Sequence, residues 1–412
     1  LQVDFFYFRI IFLFLNLSME TILQSSITKS ERLSKLSIYV FAELAISKKA
    51  LDPNWLIDLS LGSPDSPTPD PVLESLITNA QKIKNHGYPP FDGKLTLRQG
   101  IMEWYKTRFG ITLNENQVLP LIGSKEGLAH LPLAYIDPGD ISIIPNPHYP
   151  VHERGTLIAG GEVYDMVLRA ENNFLPDLNS IPSSVADKAK LMIVSYPNNP
   201  TGATIQPEKL KEVVEFARKH KILLCNDLAY SEIGFNGHKP SSIFEFMSLE
   251  EQGIEFFTFS KTYHMAGWRI GFCVGNADVV QTLYSLKSNM DYGVSPAIQD
   301  AALTALSLPD SYYLELTKLY QQRADLLHQK LESELGWKIF KPTGAMYLWV
   351  PAPSSYNGNG SLFAEDLLKK AGVVTTPGIA FGSEGANYVR FALVQPSDKL
   401  IEAADRIISI FK

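Results

Sequence analysis

Only 2 of the 412 residues are cysteine, Cys225 and Cys273. Each lies in an apolar run that reads as a buried strand, without CxxC or Cys/His ligand spacing. A disulfide scaffold and a zinc ribbon are thereby excluded, and both thiols are expected to be reduced core residues of a cytoplasmic protein. Excess positive charge is missing too: 37 Lys+Arg stand against 44 Asp+Glu, a net charge of −7, with no basic block. That balance offers no electrostatic footprint for nucleic acid or an anionic membrane surface. Long apolar runs are nearly absent. The one candidate, residues 5–17, is interrupted by Arg9 and falls short of the ~20 residues that span a bilayer. No basic region precedes it and no small-residue cleavage site follows it, so it does not read as a signal peptide. With Leu1 at the start and Met19 downstream, residues 1–18 are expected to be a start-site artefact, non-native or disordered.

What is present is ordinary globular composition, with 45% hydrophobic, 20% charged and 11% aromatic residues. A chain of this length outgrows a single core, which stops growing near ~250 to 300 residues, so two domains are expected. The partners this composition suits are small molecules and further copies of the chain.

From Met19 onward, apolar runs of strand length alternate with segments of helical period, the pattern of an α/β protein with a mostly parallel central sheet and helices on both faces. The clearest unit is a right-handed βαβ crossover. It has a strand over 191–195, a helix over 207–220 with Leu210, Val213, Val214 and Ala217 on one face, and a strand over 222–225. Further strands are predicted over 118–122, 141–144, 163–168, 256–259 and 270–274. Beyond Pro296 the pattern becomes a helical stretch through 335, strands over 346–350 and 388–394, and a closing helix from Ser397. In that helix Leu400, Ile401, Ala404, Ile407, Ile408 and Phe411 form an apolar stripe, with Ser397 as N-cap. Residues 354–361 read as a loop. The predicted organisation is an N-terminal arm over 19–64, a large domain over 65–295 and a smaller α+β domain over 296–412.

Five segments carry chemistry. Lys261, in the run TFSKT over 258–262, sits at a predicted strand end, where desolvation favours the neutral amine that a Schiff-base nucleophile needs. Thr258, Ser260 and Arg269 beside it suit a phosphate; a surface lysine in a strand-to-loop turn would carry the same dipeptide. Asp227 and Tyr230, in CNDLAY, lie just past a strand end, where open parallel sheets bind ligands. A carboxylate there can hold a pyridine nitrogen protonated, and it would equally serve as a helix N-cap. Asn199 lies in the turn YPNNPTG and can reach a ring oxygen. The run GSKEG over 123–127 opens a helix whose free N–H groups could receive a phosphate, although neither GxxxxGK[ST] nor GxGxxG occurs. Tyr149, after another strand end, could stack on a flat ring or belong to the core. His148 and His152 have metal-like spacing, but Pro150 between them denies a shared helix, and no metal is expected.

In order and spacing these segments resemble the fold-type I, class I/II aminotransferases that use pyridoxal phosphate, from about Ser30 to the C-terminus. The resemblance implies a Schiff base on Lys261, Asp227 as pyridinium partner, and Asn199 and Tyr230 as donors to the ring oxygen. Tyr149 and Ala229 would cover the ring faces. Ser124, Lys125, Thr258, Ser260 and Arg269 would hold the phosphate, joined by Tyr88 from the neighbouring subunit of a homodimer. Arg390, in YVRF, would clamp the substrate α-carboxylate beside the backbone of Gly62. Within the family the chain is most similar to LL-diaminopimelate aminotransferases and their bacterial relatives. It departs from the plant-type branch at Phe91, where that branch has a glutamate, and at Tyr292, where it has an asparagine. Residues 288–292 supply no arginine of the kind with which aspartate aminotransferases clamp a distal carboxylate. Asp291, if it faces the pocket, would favour a distal ammonium. The expected reaction moves an amino group from an L-amino acid, LL-diaminopimelate or a neutral one, to a 2-oxo acid such as 2-oxoglutarate. A carbon–sulfur β-lyase and an aspartate aminotransferase share the cofactor residues and stay open. A ligand-sensing regulator would carry a separate DNA-binding module, for which the roughly 40 residues after Met19 are too few.

Overall fold

The computed structural model describes residues 28–36, 46, 48–49 and 51–412, so the expectations for residues 1–18 lie outside the described residues. Residues 1–37 and 38–412 separate into two units. In the first, Glu31–Ser34 forms one helical turn, capped by the Ser30 side chain, which accepts from the Leu33 N–H.

The second unit is built on a seven-stranded sheet. After a short β1 (Ile57–Asp58), the strands are β2 (Val118–Leu121), β3 (Ile141–Asn146), β4 (Glu162–Val167), β5 (Ala189–Val194), β6 (Leu223–Asp227), β7 (Gly253–Thr258) and β8 (Gly271–Gly275). They lie in the order β2-β8-β7-β6-β5-β3-β4, and only β8 runs antiparallel to its neighbours. Because side chains alternate across a strand and helices cover both faces, the central strands are mostly apolar, while the edge strand β4 exposes Glu162 and Asp165. In β5, Leu191 and Ile193 enter one core while Met192 and Val194 enter the other. The first core also takes residues from Ser124–Tyr135 (α1), Val151–Ala159 (α2) and Ala277–Met290 (α4). The second takes Leu210, Val213, Val214 and Ala217 of Pro207–His220 (α3), the face foreseen from periodicity. Burying each of these larger side chains contributes roughly 1.5–3 kcal/mol. Both cysteines are free and buried, in β6 and β8.

A three-stranded sheet holds β9 (Tyr347–Pro351), β11 (Thr376–Pro377) and β12 (Tyr388–Ala392), while β10 (Val373–Val374) pairs in parallel with β1. Its apolar cluster is separate from the cores of the large sheet and includes Leu400, Ala403, Ala404 and Ile407 of the closing helix Ser397–Phe411. Several expectations need correction here. Ser397 is the first helical residue and not the cap: Pro396 holds the N-cap position, with no side-chain bond. Ile401 turns outward, and Ala403 takes the place assigned to it. The stretch expected to be helical from 296 to 335 is two helices, Pro296–Leu306 and Asp310–Leu335, because Pro309 lacks the N–H that would continue the ladder. Within 354–361, Gly360 already opens the helix Gly360–Asp366, capped by Asn359. Among the described residues no helix is long and apolar enough to cross a membrane.

Candidate active site

The parallel strands all end at one edge of the sheet, and register brings their last residues together. Leu121 and Thr258 both pair with Gly271, Asp227 stands opposite Phe256, and Asn226 stands opposite Val194. The loops leaving these ends therefore converge, as loops do at the carboxyl edge of an open α/β sheet. They enclose a cavity of about 170 Å³. Its lining includes Gly62, Ser124, Lys125, Tyr149, Asn199, Asp227, Ala229, Tyr230, Thr258, Ser260, Lys261, Arg269 and Arg390, all the residues expected to hold the cofactor or the α-carboxylate except Tyr88, while Phe91, Asp291 and Tyr292 lie outside it. Tyr88 is 80% exposed outside the cavity of its own chain and stacks on Tyr292 at 4.3 Å.

Lys261 does not end the strand, as expected, but stands three residues further on, in the helical turn Phe259–Thr262 that Thr258 caps. Part of its side chain faces the open cavity, while its Nζ lies deep and donates to Gly62 O. Burial, then the positive charges of Arg390 and Arg269, push the amine down to about 8. The neutral, nucleophilic form is thus accessible near physiological pH.

Asp227 is the last residue of β6 and is buried. Its Oδ2 accepts from His152 Nε2 at 2.9 Å, and its Oδ1 accepts from the Ala229 N–H at 3.3 Å. His152 is fully buried in the first turn of α2, and its Nδ1 has no hydrogen-bond partner among the described residues. Sequence reasoning weighed His152 only as a metal ligand and missed its part here. Its one local signal was its place just past a strand end.

The Gly123 to Lys125 segment starts α1 with no side-chain cap, which leaves the helix N-terminus suited to an anion. Thr258 Oγ1 donates to Ser260 Oγ at 2.9 Å beside it, and a Cβ on Gly123 would come within 2.6 Å of Arg269 Nη2. Burial, then the charges of Arg154 and Arg269, lower the Lys125 ammonium.

On the opposite side Arg390 is buried, donating from Nη1 to Asn199 Oδ1 at 2.8 Å and from Nη2 to Ser60 O at 2.6 Å. Its guanidinium lies over the rings of Tyr347, at 4.3 Å, and Phe381, at 4.6 Å. Neither aromatic was singled out from the sequence, and each would read locally as core. Tyr347 Oη also meets Tyr230 Oη at 2.6 Å.

Asp291 does not face the cavity freely. Lys287 Nζ donates to Asp291 Oδ1 at 2.6 Å and to Glu126 Oε1 at 2.9 Å, and the Gly293 N–H also donates to Asp291 Oδ1. Burial raises the Glu126 carboxyl to about 7 even beside this ammonium. The carboxylates of Glu126 and Asp291 with His130 have metal-like proximity, but the Lys287 ammonium already sits between the two acids.

Gly62 offers a direct test of this packing. A Cβ there would fall 2.1 Å from Tyr347 Oη, and Tyr347 is buried and tethered to Tyr230. Gly62→Ala must therefore shift the strap that carries the Lys261 acceptor or displace Tyr347. We expect kcat/KM to fall about 100-fold, the size of effect that a displacement near 1 Å produces in a reacting geometry. Steady-state kinetics beside a thermal melt check this, and unchanged kcat/KM would place the Gly62–Tyr347 contact outside the functional geometry.

The chain matches known proteins over nearly its whole length. Residues 55–407 match the family described as aminotransferase class I and II. The LL-diaminopimelate aminotransferase of Moorella thermoacetica is 44% identical over 384 residues, 92% of this chain and 97% of that protein. The enzyme of the same name from Desulforudis audaxviator is 44% identical over 386 residues, 93% and 97% of the two chains. Among solved structures, substrate-bound BacF from Bacillus subtilis superposes with a TM-score of 0.89 at 37% identity, covering 93% of this chain and 98% of its own. A probable N-succinyldiaminopimelate aminotransferase from Thermus thermophilus gives 0.84 at 32% identity, covering 90% and 99%. With this cavity at the edge of this sheet, and relatives that match nine tenths of its length, the chain belongs to the class I and II aminotransferases.

Proposed function

We propose that this aminotransferase works with pyridoxal 5'-phosphate and takes LL-diaminopimelate or a neutral amino acid as amino donor, with 2-oxoglutarate as acceptor. The observation that carries the reading is that Lys261, Asp227 and the Ser124–Arg269 cradle face one cavity. The donor set fits the cofactor. It combines an amine lowered to about 8, a buried carboxylate at the far end, and a helix N-terminus flanked by two hydroxyls and a guanidinium for the phosphate. Asp227 would hold the ring nitrogen, Asn199 and Tyr230 the ring oxygen, and Tyr149 and Ala229 the two faces. Ser124, Lys125, Thr258, Ser260 and Arg269 would hold the phosphate.

When bound, the cofactor supplies the electron sink that stabilises negative charge at the substrate α-carbon. The chain supplies the rest. Lys261 Nζ holds the cofactor and then carries the α-proton as general base. Arg390 grips the α-carboxylate with its planar fork and so sets which bond at the α-carbon lies over the ring. The Asn199 Oδ1 is taken by Arg390, which leaves its amide N–H groups for the ring oxygen. His152 orients the Asp227 carboxylate through Nε2.

The donor choice is supported by the relatives' names and by the absence of an arginine in residues 288–292. A distal carboxylate in a closed site without a cationic partner is costly. Attraction of a distal ammonium by Asp291 no longer supports the choice, since Lys287 neutralises that carboxylate. A homodimer completed by Tyr88 is part of the same proposal, supported by the exposure of that ring beside Tyr292. A division into a large lobe over 65–295 and a small lobe over 296–412 is part of the proposal and is supported by two separate apolar clusters, although the helix Pro296–Leu306 packs its Ala301, Ala302 and Ala305 into the large-sheet cluster. The two free, buried cysteines support a reducing compartment, the cytoplasm.

Purified enzyme should show higher kcat/KM for LL-diaminopimelate, alanine or methionine than for aspartate, measured with 2-oxoglutarate by glutamate formation. A clear preference for aspartate, or release of pyruvate and thiol from cystathionine as the faster reaction, would overturn the donor assignment.

A further inference from the structure

Tyr347 has a place in the cavity that the catalytic reading above does not use. It opens β9, is 2% exposed, and lines the cavity beside Lys261. One side chain reaches both ends of the site: its hydroxyl meets Tyr230 Oη at 2.6 Å, and its ring lies 4.3 Å from the Arg390 guanidinium carbon. The two phenol rings stand edge to face, 81° apart.

We propose that Tyr347 is a positioning residue, which donates its hydroxyl proton to Tyr230 so that the Tyr230 proton points into the cavity, while its ring carries Arg390. The inference rests on the reading of the cavity as a pyridoxal-phosphate site. Two phenols in contact share one proton between their oxygens, so one donates and the other keeps its proton for a third group. Two features make Tyr347 the donor. Its Oη lies against Gly62, close enough that a Cβ there would fall 2.1 Å away, and Tyr230 Oη is its one hydrogen-bond partner among the described residues. The cation over its ring draws electron density from the phenol and makes its hydroxyl the better hydrogen-bond donor of the two. Tyr230 stays protonated and able to donate, because burial, and next to it Tyr347, raises its hydroxyl well above the ordinary range. A hydroxyl that accepts one bond donates the next more strongly. An anionic ring oxygen in the cavity would therefore receive a stronger bond from Tyr230 than a lone tyrosine provides.

Tyr347→Phe separates the two roles, since it keeps the ring under Arg390 and removes only the hydroxyl. In the cofactor-loaded enzyme, the nitrogen joining Lys261 to the cofactor competes with Tyr230 for the same ring oxygen. Weakening Tyr230 as donor strengthens the hold of that nitrogen on its proton. The midpoint of the visible-absorbance pH titration should rise in Tyr347→Phe by a few tenths, roughly 0.3 pH unit. KM for the amino donor should stay within about twofold. In a Tyr230→Phe background the same substitution should produce no further shift, because the effect passes through Tyr230. Tyr347→Leu removes the ring as well and should raise KM for the amino donor roughly tenfold. A midpoint unchanged by Tyr347→Phe, or an equal shift in both backgrounds, overturns the inference. A wild-type protein that binds no cofactor and shows no visible band overturns the proposed cofactor along with it.

Discussion

Lys261→Ala is expected to abolish transamination, with kcat/KM falling on the order of 10⁵-fold or more, since no other group can take over both the attachment and the proton transfer. Among the cavity-lining residues there is one other lysine, Lys125, and it lies in the cradle at the start of α1. Borohydride reduction of the wild-type enzyme should fix a pyridoxyl group on Lys261 in a peptide map, and an adduct elsewhere would sink the assignment. The same residue sets a pH dependence. Its amine is lowered from 10.5 to about 8. At pH 8 it is about half neutral, whereas an ordinary lysine would be neutral in roughly one molecule in three hundred. Because the neutral amine is the nucleophile, capture of added pyridoxal phosphate by apo-enzyme should accelerate as pH rises through about 8, then level off. A rate still climbing in proportion to hydroxide at pH 10 would show that Lys261 keeps an ordinary amine.

The second large effect is expected from Asp227→Asn. The carboxylate stands at the end of β6, buried, with Oδ2 bonded to His152 and Oδ1 to the Ala229 N–H. An amide of nearly the same shape can keep accepting from the Ala229 N–H through its oxygen, and its NH2 can donate to His152 Nε2 once the imidazole proton moves to Nδ1, so the fold and cofactor uptake should survive. It cannot balance a positive ring nitrogen in a buried site, and the electron sink weakens accordingly. We expect kcat/KM to fall by about 10² to 10³-fold or more, the scale of losing one preorganised electrostatic partner. Absorbance would report cofactor occupancy, and single-turnover rates would report the chemistry. Full occupancy with unchanged turnover would show that another group controls the charge on the ring.

The parts legible in the sequence were those set by local patterns. The crossover through α3 was read to within a few residues of its strands because both sheet faces are buried, which makes β5 and β6 continuous apolar runs, and α3 shows a 3.6-residue stripe. The cavity residues were legible because ligand-binding segments in such sheets follow strand ends, and because motif order matches a known family. Strands as short as β1, β10 and β11, two residues each, carry no periodic signal and went unread.

Local patterns were enough to read the α/β class, the strand ends that bear Asp227 and Thr258 with Lys261 just beyond, and the chemistry of those side chains. Only the tertiary structure decided who stands beside them. His152 meets Asp227 across 75 positions of chain, Tyr347 meets Tyr230 across 117, and Arg390 meets Asn199 across 191. It also decided that Asp291 belongs to Lys287 and not to the cavity. The physical reason is the strand order. A sheet wound as β2-β8-β7-β6-β5-β3-β4 sets distant segments side by side, and no local spacing records which ones will touch. The pairing of polar groups left over once the sheet has closed is fixed by the need to satisfy each buried donor and acceptor.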